Sequence, residues 1–298
     1  MSIKPDQVEG EPSHPSLLAH SRAAFSEAKD ARRTYWRLEA ATSILALSGA
    51  LVANAVGASV LALTSLGAKV MAKTKAGQVR SLFRHAERAR RYDFEQRALG
   101  WPVPGRVHAD LLLAFPPSVE KAAIDLAQRD DDYFAYKGPP SPERFVWNLA
   151  ESIFWSEKLM AVMVTRRARQ FSLALAIGII ALCGLVLINP SDLVTTKEAT
   201  LVAVVGLKVL GVFASFLVAI DLHGELASFR RGATACRDLG AALERALDPP
   251  DREEGLRLLI EYHCLLADLP MVPDEVHLAN RERLNKLWAQ ASAGMKGR

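Results

Sequence analysis

The predicted fold is decided by residues 171–220, FSLALAIGIIALCGLVLINPSDLVTTKEATLVAVVGLKVLGVFASFLVAI. Phe171 to Ile188 carries no charge, a polar turn with Pro190 follows, and Ala199 to Ile220 is apolar apart from Lys208. About 20 apolar helical residues cross the hydrocarbon core of a bilayer. The pattern therefore predicts a transmembrane hairpin, two helices joined by a short polar turn.

A second uncharged block, Ala40 to Ala68, lies upstream. It is long for one helix, so two short helices that meet at Asn54 to Gly57 are predicted, and one tilted helix is the alternative. The charge pattern favours two, because residues 73–170 hold seventeen Lys and Arg whereas the turn after the third helix holds only Lys197. Positive residues favour the cytoplasmic side of a membrane. The pattern predicts four spans with both termini in the cytoplasm.

The rest of the chain has helix-forming composition and no convincing strand. Ser141, followed by Pro142 and Glu143, predicts the start of a long helix that continues to Pro190. The predicted fold class is all-α, a polytopic membrane protein with four transmembrane helices in two hairpins and long cytoplasmic helical extensions. We predict a disordered lead, a helix with the first hairpin, a cytoplasmic helical region, a long helix with the second hairpin, and a helical tail, at residues 1–16, 17–72, 73–141, 142–220 and 221–298.

No pattern indicates catalysis, a cofactor or a metal site. None of the seven histidines pairs with a glutamate at the spacing of zinc peptidases, and the chain has no phosphate-binding glycine loop or nucleophile elbow. The basic residues lack the interleaved aromatics of nucleic-acid binding proteins. The three cysteines have no paired spacing. We therefore expect no enzyme activity, no cofactor, no metal and no nucleic-acid partner.

Lys208 is the one basic residue well inside a predicted span. It lies roughly 13 Å below the outer end of its helix, a depth at which a charge costs about 2.5 to 3.5 kcal/mol. Small or polar residues share its helical face, and we predict that this face lines a pore or a helix interface: Thr200, Gly211 and Ser215. The alternative is a lysine that snorkels to the membrane surface. In an oligomer, several copies of Lys208 would form a positive ring that favours anions.

Four motifs flank the predicted spans: AFSEAKDARRTYW, AERARRYDFEQRALGWPVP, SPERFVWNLAESIFWSEKL and LADLPMVPDEVHLANRERLNKLW, at 24–36, 86–104, 141–159 and 266–288. In these motifs the chain resembles the SMODS-associated four-transmembrane effector family, which is related to the SLATT group of bacterial membrane effectors. It departs from the family where RRYDFEQR replaces a glutamine-glutamate pair before the Phe-Asp motif.

The resemblance implies an anti-phage effector of the bacterial inner membrane, of the cyclic-oligonucleotide (CBASS) type. Such a protein oligomerises and forms pores or disrupts the lipid bilayer when a cyclic nucleotide second messenger activates it, which kills the infected cell. Six arginines are candidate contacts for the ligand, or for acidic lipid head groups: Arg84, Arg88, Arg90, Arg91, Arg230 and Arg231. The alternative function is a membrane-anchored helical scaffold or sensor that binds a partner protein.

Overall fold

The computed structural model describes residues 15–51, 55–127, 134–186, 198–245 and 252–296. In these ranges the backbone forms eight α-helices and no strand. The helices are α1 (Leu17–Leu51), α2 (Ala55–Leu99), α3 (Gly105–Leu113), α4 (Pro117–Ala127), α5 (Pro142–Val186), α6 (Glu198–Arg245), α7 (Arg252–Asp268) and α8 (Asp274–Lys296). The predicted all-α content is therefore confirmed for the described residues.

Four long helices form the frame of the molecule. Helix α1 packs along α2, and α5 packs along α6. Contacts between α1 and α6 join the two pairs into one bundle, and the shorter α4, α7 and α8 pack on α1, α6 and α5. Because α1 ends at Leu51 and α2 begins at Ala55, the first apolar block forms two helices rather than one.

The prediction that these helices span a membrane is wrong for the described residues. No helix in the part of the chain that the structure describes joins enough length to enough apolar character for a bilayer crossing. Each predicted span is one end of a longer helix that also carries charges, and the predicted spans include residues 52–54, 187 and 188, which lie outside the described residues. The four-span membrane class and the multi-pass inner-membrane location are corrected accordingly.

Local signals fix where the long helices begin and end. At the start of α5, the Ser141 hydroxyl accepts a hydrogen bond from the Arg144 backbone N–H at 3.1 Å, which confirms the predicted cap. At the end of α2, Gly100 has a φ of +73°, a left-handed conformation that glycine adopts without strain. The Ser141 N–H then donates to the Ala98 carbonyl at 2.9 Å. This bond ties the start of α5 to the end of α2.

Large side chains from α5, α6 and α7 form the larger core cluster. Phe145, Leu149 and Ile153 recur at four-residue spacing on α5 and are fully buried, together with Phe229 of α6 and Tyr262 of α7. The Tyr262 hydroxyl donates to the Ser152 carbonyl at 3.0 Å, so this phenol is buried with its polar atom satisfied. Burial of this face holds α7 against the charged half of the α5–α6 pair.

Small side chains form the second cluster, between α1 and α2. Ala24, Ala28, Ala86 and Ala89 are fully buried, which lets the two helices approach closely. The Ser21 hydroxyl donates to the Ala86 carbonyl at 3.0 Å across this seam. Phe115, Val119 and Ala123 belong to the same cluster, so α4 packs on the α1–α2 pair at this seam.

Candidate ligand-binding site

A cavity of about 370 Å³ lies between α1, α2, α5, α7 and α8, and we call it the five-helix cavity. Small-molecule sites in proteins have volumes of about 300 to 1,000 Å³. The side chains of α1 and α2 that line it follow helical spacing: Leu18, Arg22, Phe25 and Lys29 on α1, and Glu87, Arg90, Phe94 and Arg97 on α2. One continuous stripe of each helix therefore faces the cavity.

Cationic side chains outnumber carboxylates in the lining. The cations are Arg22, Lys29, Arg90 and Arg97, and the carboxylates are Glu87, Asp93 and Asp274. Arg90 pairs with Glu87 at 2.9 Å, Arg97 pairs with Asp93 at 3.0 Å, and Lys29 pairs with Asp274. These pairs fix the guanidinium groups of Arg90 and Arg97 in place, and the described lining holds four cationic side chains in all.

Two histidines line the cavity and are neutral at pH 7. Burial, followed by the charges of Arg90 and Arg91, lowers the pKa of His263 to about 3. Burial, followed by the Lys29 ammonium, lowers the pKa of His277, whose ring stacks on Trp155 at 5.1 Å. The His263 Nε2 atom is buried and has no hydrogen-bond partner among the described residues. A neutral imidazole offers one donor and one acceptor, so a ligand group can satisfy this atom.

Aromatic rings supply flat walls. Phe25 and Tyr262 line the cavity together with Phe94 and Phe134, whose rings meet edge-on with centroids 5.5 Å apart. Phe25 is held by a second edge-on contact with Phe83, at 5.7 Å. Aromatic faces bind other flat rings by offset stacking or edge contacts. The cavity therefore combines surfaces for a ring with groups for an anion.

Acidification is expected to destabilise the protein through His263. Its pKa is about 3 in the folded protein against an ordinary value of 6.5, so the unfolded chain binds more protons between these pH values. The free energy of unfolding should therefore fall as the pH decreases from about 6.5 toward 3. Urea denaturation at a series of pH values should show a flatter dependence for His263→Gln than for the parent, and no such change for the exposed His223→Gln control. Parallel curves for His263→Gln and the parent would contradict the assignment.

The structure brings one of the six predicted contact arginines into the five-helix cavity. Arg90 lines it, and Arg91 lies beside it, pairs with Glu95 at 2.9 Å and acts on the pKa of His263. The other four are exposed and do not line the cavity: Arg84, Arg88, Arg230 and Arg231. A contact between those four and acidic lipid head groups stays a prediction.

The predicted pore-lining residues belong to α6. Their side chains lie outside the described residues: Lys208, Thr200, Gly211 and Ser215. Their pore-lining role, and the snorkelling alternative for Lys208, stay predictions. The predicted division into five segments also stays a prediction, and its lead segment lies largely outside the described residues.

Sequence reasoning missed several lining residues, among them Phe25, Tyr262 and His263. A signal for some of them was present, because each of the four motifs at 24–36, 86–104, 141–159 and 266–288 contributes side chains to the cavity. The sequence pattern placed these motifs beside predicted membrane spans and did not indicate that they line one site. In the fold they meet around one volume.

No known protein family, no curated protein and no solved structure matches this chain. The family resemblance therefore stays a prediction, and function is inferred from the geometry of the site. Among the described residues, no group of three or more His, Cys, Asp or Glu is placed to hold a metal ion. The fold and the site define an all-helical protein with a ligand-sized internal cavity.

Proposed function

We propose that the protein binds a small organic anion with a flat ring, and that the five-helix cavity is its binding site. The observation that carries the proposal is the composition of this one volume: four cationic side chains, aromatic walls and the unpartnered Nε2 of His263. Nucleotides belong to this chemical class, because their bases stack on aromatic rings and their phosphates pair with guanidinium groups. The cyclic nucleotide partner implied by the resemblance is one member of the class.

The existing ion pairs suit the cavity to a charged ligand. Glu87 and Asp93 each hold an arginine of α2 three or four residues away, so the guanidinium groups are oriented before a ligand arrives. Groups that are already ordered lose less conformational entropy on binding. A ligand phosphate would bind the Arg90 guanidinium while Glu87 keeps its own contact with that group.

A ligand in this position makes the protein a sensor. The walls come from the α1–α2 pair, from α5 of the second pair, and from α7 and α8, so one bound molecule contacts all three parts of the bundle. A ligand stabilises the arrangement of helices to which it binds best. The partner protein of the scaffold or sensor alternative stays a prediction. Pore formation is not part of the proposal, since no described helix is suited to cross a membrane, and homo-oligomerisation and contact with a lipid bilayer stay predictions.

Arg90→Gln tests the proposal. Loss of a charge-assisted hydrogen bond costs about 1.5 to 3 kcal/mol, which is about a tenfold to hundredfold rise in Kd. Isothermal titration of the full chain with ATP, GTP, cyclic AMP and cyclic dinucleotides should identify a ligand and show this loss. Arg88→Gln is the matched control, because it removes the same charge from an exposed position on α2 and should leave Kd unchanged.

Two results would overturn the proposal. The first is the absence of binding by every compound of the panel at millimolar concentration. The second is an equal loss of affinity in Arg88→Gln and Arg90→Gln, which would show that bulk positive charge, not the cavity, attracts the ligand. Thermal unfolding of both variants separates loss of binding from loss of folding.

A further inference from the structure

A second cavity of about 440 Å³ lies on the other side of the Lys29–Asp274 ion pair, since both residues line both cavities. It is enclosed by α1, α5, α6 and the segment that leads into α8. We call it the arginine cavity, because five arginines line it: Arg32, Arg33, Arg37, Arg166 and Arg167. None of these residues was singled out as a ligand contact by the sequence.

Carboxylates balance only part of this charge. Glu225, outside the lining, pairs with Arg32 and Arg167 at 2.8 Å each, and Asp30 pairs with Arg33 at 2.9 Å. The lining holds six cationic side chains with Lys29, against the carboxylates Glu39, Asp274 and Glu275. Glu39 is paired with Lys69 at 2.6 Å, a cation outside the lining, and Glu275 is shared between Arg33 at 3.9 Å and Arg166 at 3.4 Å. The cavity therefore keeps a positive potential that an anion would neutralise.

The unsatisfied polar atoms of the lining are donors. Arg167 is only 6 % exposed, and its Nε is buried without a hydrogen-bond partner. Its guanidinium lies 4.8 Å from the ring centre of Trp36, whose Nε1 is also buried and unpartnered. A buried donor without an acceptor carries a desolvation cost that a ligand oxygen removes. Arg167 Nε and Trp36 Nε1 are two such donors, and in a cationic cavity they favour a negatively charged ligand with several acceptor oxygens.

We propose that the arginine cavity binds a phosphate group, with Arg37 and Arg166 supplying charge and with Arg167 Nε and Trp36 Nε1 donating hydrogen bonds. This site is separate from the five-helix cavity, so the proposal goes beyond the proposed function. A soluble phosphate ester and a lipid head group present the same oxygens. The second source is relevant because Ile44 on α1 and Ile220 on α6 expose 64 % and 62 % of their surface close in sequence to the lining residues Ala40 and Val218.

The test combines binding with a signal from the site itself. Inorganic phosphate and glycerol 3-phosphate are titrated into the full chain, and the indole N–H resonance of Trp36, assigned by its loss in Trp36→Phe, is followed by NMR. Vesicles of phosphatidylcholine with and without phosphatidic acid form the second arm, read by co-sedimentation. Arg37→Gln/Arg166→Gln should weaken binding about tenfold or more. The control Arg281→Gln/Arg283→Gln removes the same charge from exposed positions on α8 and should have no effect.

Binding of the soluble phosphates with a shift of the Trp36 signal supports the proposal with a free ligand. Binding only to vesicles that contain phosphatidic acid, lost in Arg37→Gln/Arg166→Gln but not in the control, supports it with a lipid head group. No response to either source, or equal effects of the two double variants, overturns it. Binding of the nucleotide panel and its dependence on Arg90 are independent of this outcome, so the two proposals fail separately.

Discussion

Glu225→Ala is expected to lower the free energy of unfolding by about 3 kcal/mol, because it removes the carboxylate that two buried arginines share. Arg32 Nη2 lies 2.8 Å from Glu225 Oε1, and Arg167 Nη2 lies 2.8 Å from Glu225 Oε2. The side chains of Arg32, Arg167 and Glu225 are 10 %, 8 % and 20 % exposed. Without Glu225, the two guanidinium groups would stay largely dehydrated and would have no counter-charge. Breaking a buried pair costs about 3 to 5 kcal/mol, and the partial exposure of Glu225 places the effect at the lower end.

Urea denaturation monitored by circular dichroism measures this change. Glu261→Ala is the control, because Glu261 also pairs with an arginine, but in an exposed contact within α7 where water replaces the carboxylate, so little change is expected. Equal effects of the two substitutions would show that the Glu225 contact contributes no more than a surface pair. A triple apolar variant, Arg32→Met/Arg167→Met/Glu225→Leu, should recover part of the lost stability, since it leaves no charge to desolvate.

The Glu225 contact contributes to the stability of the whole bundle because it joins the two helix pairs. Arg32 belongs to α1, Arg167 to α5 and Glu225 to α6, and Arg32 Nη1 also donates to the Met271 carbonyl just before α8. Asp221, one turn before Glu225 on α6, lies 3.7 Å from Lys69 of α2, which also lies 2.6 Å from Glu39 of α1. A layer of charge thus crosses the bundle where the apolar ends of the helices meet their charged halves.

Local signals in the sequence predicted the backbone well. The Ser141–Pro142 start of α5 follows from residues that are neighbours in the chain, and it appears where expected. Hydrophobic run length was a poorer guide. The uncharged run between Glu39 and Lys69 predicted a membrane segment that these two charges flank. In the fold the two side chains pair with each other inside a helical bundle.

The candidate site could not be predicted in the same way. Arg22 and His263 line one cavity although 241 positions separate them in the chain, and no short spacing pattern indicates such a meeting. The lowered pKa of His263 depends on burial and on Arg90 and Arg91 of another helix, so it exists only in the folded protein. The orphan donors of Arg167 and Trp36 are likewise visible only after packing.

Phe145→Ala is the second substitution with a large expected effect, a loss of about 3 to 5 kcal/mol in the free energy of unfolding. Phe145 is fully buried in the larger core cluster, and its ring centre lies 5.6 Å from that of Phe94, whose ring also lines the five-helix cavity. The loss combines the transfer free energy of the ring with the cavity that remains. Leu113→Ala, at a side chain that is 85 % exposed, should change stability little.

A second substitution at Gly255 separates packing at Phe145 from general damage to the core. A Cβ atom at Gly255 would lie 3.0 Å from Phe145 Cε1 and 3.3 Å from Val146 Cγ2, so Gly255→Ala crowds the parent core but fills part of the space left by Phe145→Ala. In a double-mutant cycle, Gly255→Ala should therefore be more favourable in the Phe145→Ala background by about 0.5 to 3 kcal/mol, the usual range for residues in contact. Because alanine favours a helix over glycine equally in both backgrounds, that contribution cancels in the cycle. Additive effects would show that α7 does not pack on the Phe145 ring as described, and the wall that Phe94 gives to the five-helix cavity would then lack its support.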